Sequence, residues 1–155
     1  MPEENSKECV MQTENPVPPA SQAPVGQLNA SRSLIKFILL GIITFGIYIL
    51  VTLCGVSSDI NTIASRYDGR KTMFYLATAL LAPLTLGIVP LIWFHNVSNR
   101  MGIELRRRNI SYNISASDFW LWNVLGSLII IGPFIYFHKL LTASNKLAAH
   151  YNVNG

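Results

Sequence analysis

Three apolar stretches, each followed by a polar segment with helical periodicity, set the pattern of this chain. Phe37–Ser58, Thr72–Asn99 and Phe119–His138 hold no Asp, Glu, Lys or Arg. A bilayer core is about 30 Å thick and a helix rises about 1.5 Å per residue, so about 20 apolar residues cross it. The pattern therefore predicts an all-α integral membrane fold with three kinked transmembrane helices, at about 35–56, 73–95 and 118–138. After the first stretch, Val56, Ile60, Ile63 and Tyr67 share one helical face. Leu140, Ser144, Leu147 and Tyr151 do so less purely after the third, and Glu104 and arginines interrupt the stripe after the second. These segments read as helices continuing past the bilayer or lying on its surface. Their alternative is solvated helix ends with incidental apolar residues.

The stretches resemble one another. Thr44-Phe45-Gly46-Ile47 recurs as Thr85-Leu86-Gly87-Ile88, and Val56-Ser57 as Val97-Ser98 at the same offset. Pro90–His95 recurs as Pro133–His138. Each unit is an apolar stretch weakened by glycine or proline, an aromatic exit and a polar helix, which makes a degenerate internal repeat. The repeat raises a rival to spanning. If each stretch folded back at its Gly/Pro weak point, all three polar segments would face one side, and the hairpins would wedge into one leaflet. Unpaired backbone groups in hydrocarbon cost several kcal/mol each, and that cost favours spanning helices. Under spanning, reporters after residues 70 and 110 fall on opposite sides.

Here the chain resembles a known family, the small bacterial membrane proteins of domain-of-unknown-function family 4234. The resemblance rests on Thr44-Phe45-Gly46-Ile47-Tyr48, Asp59-Ile60-Asn61, Arg66-Tyr67-Asp68-Gly69 and the Pro90–His95 block, and covers roughly Ser33 to Gly155. It implies a multi-helix bacterial membrane protein and no assigned activity.

Composition agrees with a membrane protein. Of 155 residues, 50% are hydrophobic and 13% charged, against about 25% charged in soluble domains. Residues 1–31 hold five of the eight prolines and almost no large apolar side chain, which predicts a disordered tail ahead of one membrane domain at 32–155. The net charge of +4 sits beside the apolar stretches, so lipid headgroups are the expected partners and nucleic acid is not. A slight excess of basic residues on the tail's side puts the N-terminus in the cytoplasm. Cys9 and Cys54 form no metal or disulfide framework.

Candidate residues follow from position. Lys36, Trp93, His95, Trp120, Trp122, Tyr136 and His138 lie at the ends of the stretches, where indole, phenol and amine groups meet headgroups. Arg100, Arg106, Arg107 and Arg108 form the basic linker, suited to headgroups or a protein partner. Gly46, Tyr48, Asn123 and Gly126 suit helix–helix packing. His95 and His138 hold equivalent repeat positions, but spanning would separate them by about 30 Å, so no shared metal site is expected. Serine–histidine–carboxylate groupings, phosphate loops and metal-ligand spacings are missing, and no catalysis, cofactor or small-molecule substrate is expected. The expected function is a non-catalytic membrane protein acting through protein or lipid contacts, with self-association open. The alternative is a subunit of an oligomeric channel or transporter.

Overall fold

The computed structural model describes residues 24–155, and all its regular structure is helical. The helices are α1 (Leu34–Ile43), α2 (Ile47–Asp68), α3 (Tyr75–Leu81) and α4 (Ile88–Arg107). A short α5 (Ala116–Asp118) runs on through a π-helical segment (Phe119–Val124) and a 3₁₀ segment (Leu125–Ile129), and α6 (Ile131–Asn154) ends the chain.

Not one of the three apolar stretches forms a continuous helix. Each reverses direction at its middle, and cross-strand contacts locate the reversal. Arg32 pairs with Asp59 at 2.7 Å, and a Cβ on Gly41 would meet Ile49, so α1 lies antiparallel to the start of α2 about a turn near Phe45. Tyr75 packs on Trp93 and Phe94, and the Trp93 indole donates to the Met73 carbonyl, so α3 returns along α4. Lys139 bonds Asp118, Phe119 packs on Tyr136, and Gly126 meets Gly132, which places the third reversal at Ile130. The continuous helices expected at about 35–56, 73–95 and 118–138 are thus replaced by three helical hairpins. The physical reason is local. Gly46, Gly87 and Ile130 adopt positive φ, at 89°, 84° and 63°, which no α-helix can carry through.

The long arms of the hairpins are parallel. Going from Asn61 to Tyr67 on α2, the partners move from Arg100 to Arg107 on α4. From Phe94 to Arg108 on α4, they move from Phe137 to His150 on α6. Arg66 of α2 meets Tyr151 of α6. Three parallel helices have their N-terminal ends together, so all three hairpin turns sit at one end of the molecule and the polar segments at the other.

Those polar segments pack on one another rather than standing free. Val56, Ile60 and Ile63 of α2, Val97, Met101 and Leu105 of α4, and Leu140, Leu147 and Tyr151 of α6 are all buried. The stripes read as surface or solvated faces therefore form a common core, because parallel alignment brings the three faces together. Nearer the turns the core becomes aromatic, with Phe94, Phe119, Tyr136 and Phe137 in mutual contact. Tyr136 is fully buried and its hydroxyl bonds Ser98 at 2.8 Å.

Residues 24–31, counted with the tail in the sequence, form an extended strap docked on α6. The Asn152 side chain bonds both the N–H and the carbonyl of Leu28, and the Asn145 side chain does the same for Arg32. Seven residues apart, these two amides stand on one helix face and give the strap the partners a β-strand would. The disorder expected for the rest of the tail falls on residues 1–23, outside the described residues.

Candidate functional site

The end that carries the turns is uniformly apolar and unpacked. Phe45 is 98% exposed, Leu86 93%, Leu128 85% and Ile130 75%. Ile42, Ile43, Ile47, Leu84, Ile88 and Ile129 are exposed around them. Soluble monomers rarely show a contiguous apolar patch beyond a few hundred Å². Phe45 and Leu86 also sit at φ 51° and 50°, where bulky side chains cost about 1 kcal/mol that glycine would avoid. Strained, exposed and apolar residues recur at the tips of all three hairpins, with Ile130 at φ 63° in the third, which points to use rather than to packing.

The turns solve their own backbone problem. Thr44 donates its hydroxyl to the Leu40 carbonyl at 2.6 Å and accepts the Tyr48 N–H at 2.9 Å. Thr85 does the same with Leu81 and Val89, at 2.9 and 3.4 Å. One side chain therefore adds a second bond to a carbonyl that already accepts the threonine's own N–H at the end of the outgoing helix, and satisfies an orphan N–H of the returning one. Gly46 N–H closes the first turn on the Gly41 carbonyl at 2.7 Å, and Gly87 N–H closes the second on Ala82 at 2.8 Å, the six-residue closure of a Schellman end. In the third turn Ser127 donates to the Val124 carbonyl at 2.5 Å. The Thr-X-Gly-Ile repeat, legible in the sequence, is thus a turn motif. Thr44→Val and Thr85→Val remove both bonds without changing shape. Each is expected to lower unfolding stability in detergent by about 1–3 kcal/mol, read as a drop in melting temperature. Unchanged melting in both would show that the threonines do not hold the turns.

Above the tips, the side chains change character in order. Lys36 and His138 are exposed, Trp120 is about half-exposed, and the Trp120 indole donates to His95 Nδ1 at 3.1 Å. His95 follows the turn residue Gly87 by eight positions, as His138 follows Ile130, so they stand at similar height and not at opposite ends. Among the described residues no group of three metal-ligating side chains exists. Trp122 is partly buried against the core, whereas Trp93 and Tyr136 lie inside it.

The polar end is knitted by arginine. Arg100 bonds both Asp68 oxygens at 2.9 Å, the Asn61 and Thr72 side chains, and the Arg70 carbonyl. It fastens the α2–α3 loop to α4. Asn61 also exchanges two bonds with the Thr72 backbone, so Thr72 is tied to α2 and α3 starts only at Tyr75. Arg107 and Arg108 pair with Glu104 and lie against the Tyr67 ring. Burial pushes the Glu104 carboxyl above its ordinary value, against the pull of both arginines. Arg108 also reaches His150 and the Gly155 carbonyl, whereas Arg106 is exposed. Of the four arginines in the basic linker, Arg100, Arg107 and Arg108 are therefore engaged within the protein.

The residues expected to pack helices divide. Gly126 does: a Cβ there would stand 2.8 Å from Gly132 Cα. Gly46 has open space where its Cβ would be, so conformation and not close approach calls for glycine. Tyr48 takes the Thr44 hydroxyl as backbone acceptor, and Asn123 is half-buried in the π-helical segment. Sequence reasoning did not single out Gly132, Asp59 or Asp118 as site residues. Asp118 was legible through its capping box, which is present: Ser115 Oγ accepts the Asp118 N–H and the Asp118 carboxylate accepts the Ser115 N–H.

Helical hairpins with parallel long arms, an apolar end and an arginine-laced polar end define the class of fold. One helix, Ile47–Asp68, is long and apolar enough to cross a membrane by length and composition. Its second half is core of the polar end. The family model described as "Domain of unknown function (DUF4234)" matches residues 32–103. The match covers the first two hairpins up to near the end of α4, and the wider resemblance read to Gly155 lies beyond it. No curated protein and no solved structure matches the chain.

Proposed function

We propose that this chain is a non-catalytic membrane protein that seats three helical hairpins in one leaflet and acts through lipid and protein contacts. The observation that carries this reading is the common end at which Phe45, Leu86 and Ile130 project, exposed and apolar. The dimensions support it. The short arm α1 has 10 residues and rises about 15 Å, half of a bilayer core of about 30 Å. Arg32 and Asp59 pair about 20 Å above the Phe45 turn, at headgroup height. The backbone cost that argued against fold-back is met by Thr44, Thr85 and the glycine closures. Recurrence of the same turn also supports a degenerate repeat, because homologous hairpins then keep equivalent surroundings.

Single cysteines placed at Arg70, Asn109 and Gly155 in a background without Cys9 and Cys54 test the arrangement in proteoliposomes. All three are expected to react with an impermeant maleimide from the same side, whereas cysteines at Phe45, Leu86 and Ile130 react from neither. Labelling of positions 70 and 109 from opposite sides would overturn one-leaflet seating in favour of spanning helices.

A further inference from the structure

A cleft of about 570 Å³ runs along one face of α4. Val89, Ile92, Asn96 and Ile103 line it at spacings of three, four and seven residues, which keeps them on a single helical face. From Val89 to Ile103 that face extends about 21 Å. Its opposite wall is the α2–α3 loop with Arg70 and Lys71, and Thr78 of α3. The short α3 leaves this part of α4 uncovered.

Polarity is graded along the cleft. Val89 stands two residues beyond the Gly87 turn, at the apolar end, with half-exposed Ile92 one turn higher. Asn96 and Asn99, both exposed, come next. The far end holds exposed Arg70 and Lys71 above Arg100. The one carboxylate in the lining, Asp68, already accepts two bonds from Arg100. The cleft thus offers excess positive charge and amide donors at one end and hydrocarbon at the other, aligned with the hairpin axis.

We infer that this cleft binds one anionic glycerophospholipid, its phosphate between Arg70, Lys71 and the Asn96–Asn99 amides and an acyl chain along Ile92 and Val89. The inference rests on the one-leaflet reading, which places the apolar mouth of the cleft in hydrocarbon and its basic end among headgroups. One observation selects an anionic lipid over a neutral one: Arg70 and Lys71 at the headgroup end face no free carboxylate in the lining, because Asp68 is taken by Arg100.

The test uses the full chain purified in neutral detergent, with native mass spectrometry counting retained lipid. Short-chain phosphatidylglycerol is expected to remain bound at one copy under conditions that strip short-chain phosphatidylcholine. Arg70→Gln with Lys71→Gln is expected to weaken that retention roughly 30-fold. Arg106→Gln with Lys146→Gln, the same change in net charge elsewhere, leaves it unchanged. Equal retention of both lipids, an equal loss in the second pair, or displacement of the lipid by glycerol phosphate at matched concentration would each overturn the site. Flotation of the same proteins on phosphatidylcholine vesicles reports on membrane association by itself, which leaflet seating requires. Wild type that retains lipid in detergent but fails to float refutes the seating and with it this inference, whereas wild type that floats but retains no lipid refutes the cleft alone.

Discussion

Phe45→Gly combined with Leu86→Gly is expected to release the protein from phosphatidylcholine vesicles while its helices remain intact. Burying a large apolar side chain is worth about 1.5–3 kcal/mol, so losing two costs about 3–6 kcal/mol of membrane affinity. That corresponds to a fall of roughly 10² to 10⁴ in the partition coefficient. The fold should not suffer, because neither side chain packs on anything. Phe45 is 98% exposed and Leu86 93%. Both sit at positive φ, at 51° and 50°, which glycine adopts without the penalty of a Cβ. Relieving that strain offsets the entropy glycine adds to the unfolded chain. The expected pair of results is therefore lost flotation with unchanged far-ultraviolet circular dichroism and an unchanged melting temperature. A double variant that floats as wild type does would remove the tips from the account of membrane contact. One that unfolds would mean that the tips are structural.

Gly132→Ala is expected to have the largest effect on stability of any single methyl addition near the turns. Added to Gly132, a Cβ would overlap Gly126 Cα and the Trp122 carbonyl oxygen. Both obstacles are backbone, so no rotamer change relieves the clash. Opening the third hairpin would disturb the neighbouring contacts of Phe119 with Tyr136 and of Asp118 with Lys139. A destabilisation of about 3 kcal/mol is expected from overpacking alone. Gly46→Ala supplies the comparison. It meets nothing within 4 Å, and its cost comes only from φ 89°, about 1 kcal/mol. Thermal unfolding in one detergent ranks the two. If Gly46→Ala proved the more damaging, close backbone approach in the third hairpin would not be what holds it.

Much of this architecture was legible at the level of units and little at the level of direction. The apolar stretches, the Thr-X-Gly-Ile recurrence and the stripe through Val56, Ile60 and Ile63 are local patterns, and all three correspond to structural features. What the stretches do is not local. A run of 22 uncharged residues suits one crossing helix or two short arms equally well by hydropathy. The decision fell to Thr44 and Gly46, whose side-chain and backbone bonds close the reversal within the chain. The aromatic residues show the same limit. Trp93, Trp120 and Tyr136 look alike at the ends of stretches, yet Trp93 and Tyr136 are buried, whereas Trp120 stays about half-exposed. Which rings face inward depends on the partner arm, and a single sequence does not show it. Arg100 illustrates the converse: a basic residue read for its charge is held by Asp68, Asn61 and Thr72 from two other segments.

By itself the sequence determined helix as the regular structure of the described residues, three apolar stretches, their weak points and the charged segments between them, because periodicity and residue conformation act over a few positions. Only the tertiary structure decided that each unit turns back, that α2, α4 and α6 run parallel, and that Phe45, Leu86 and Ile130 gather at one end. Direction and assembly depend on contacts between residues far apart in the chain, such as Arg32 with Asp59 and Arg66 with Tyr151, and hydropathy is blind to those.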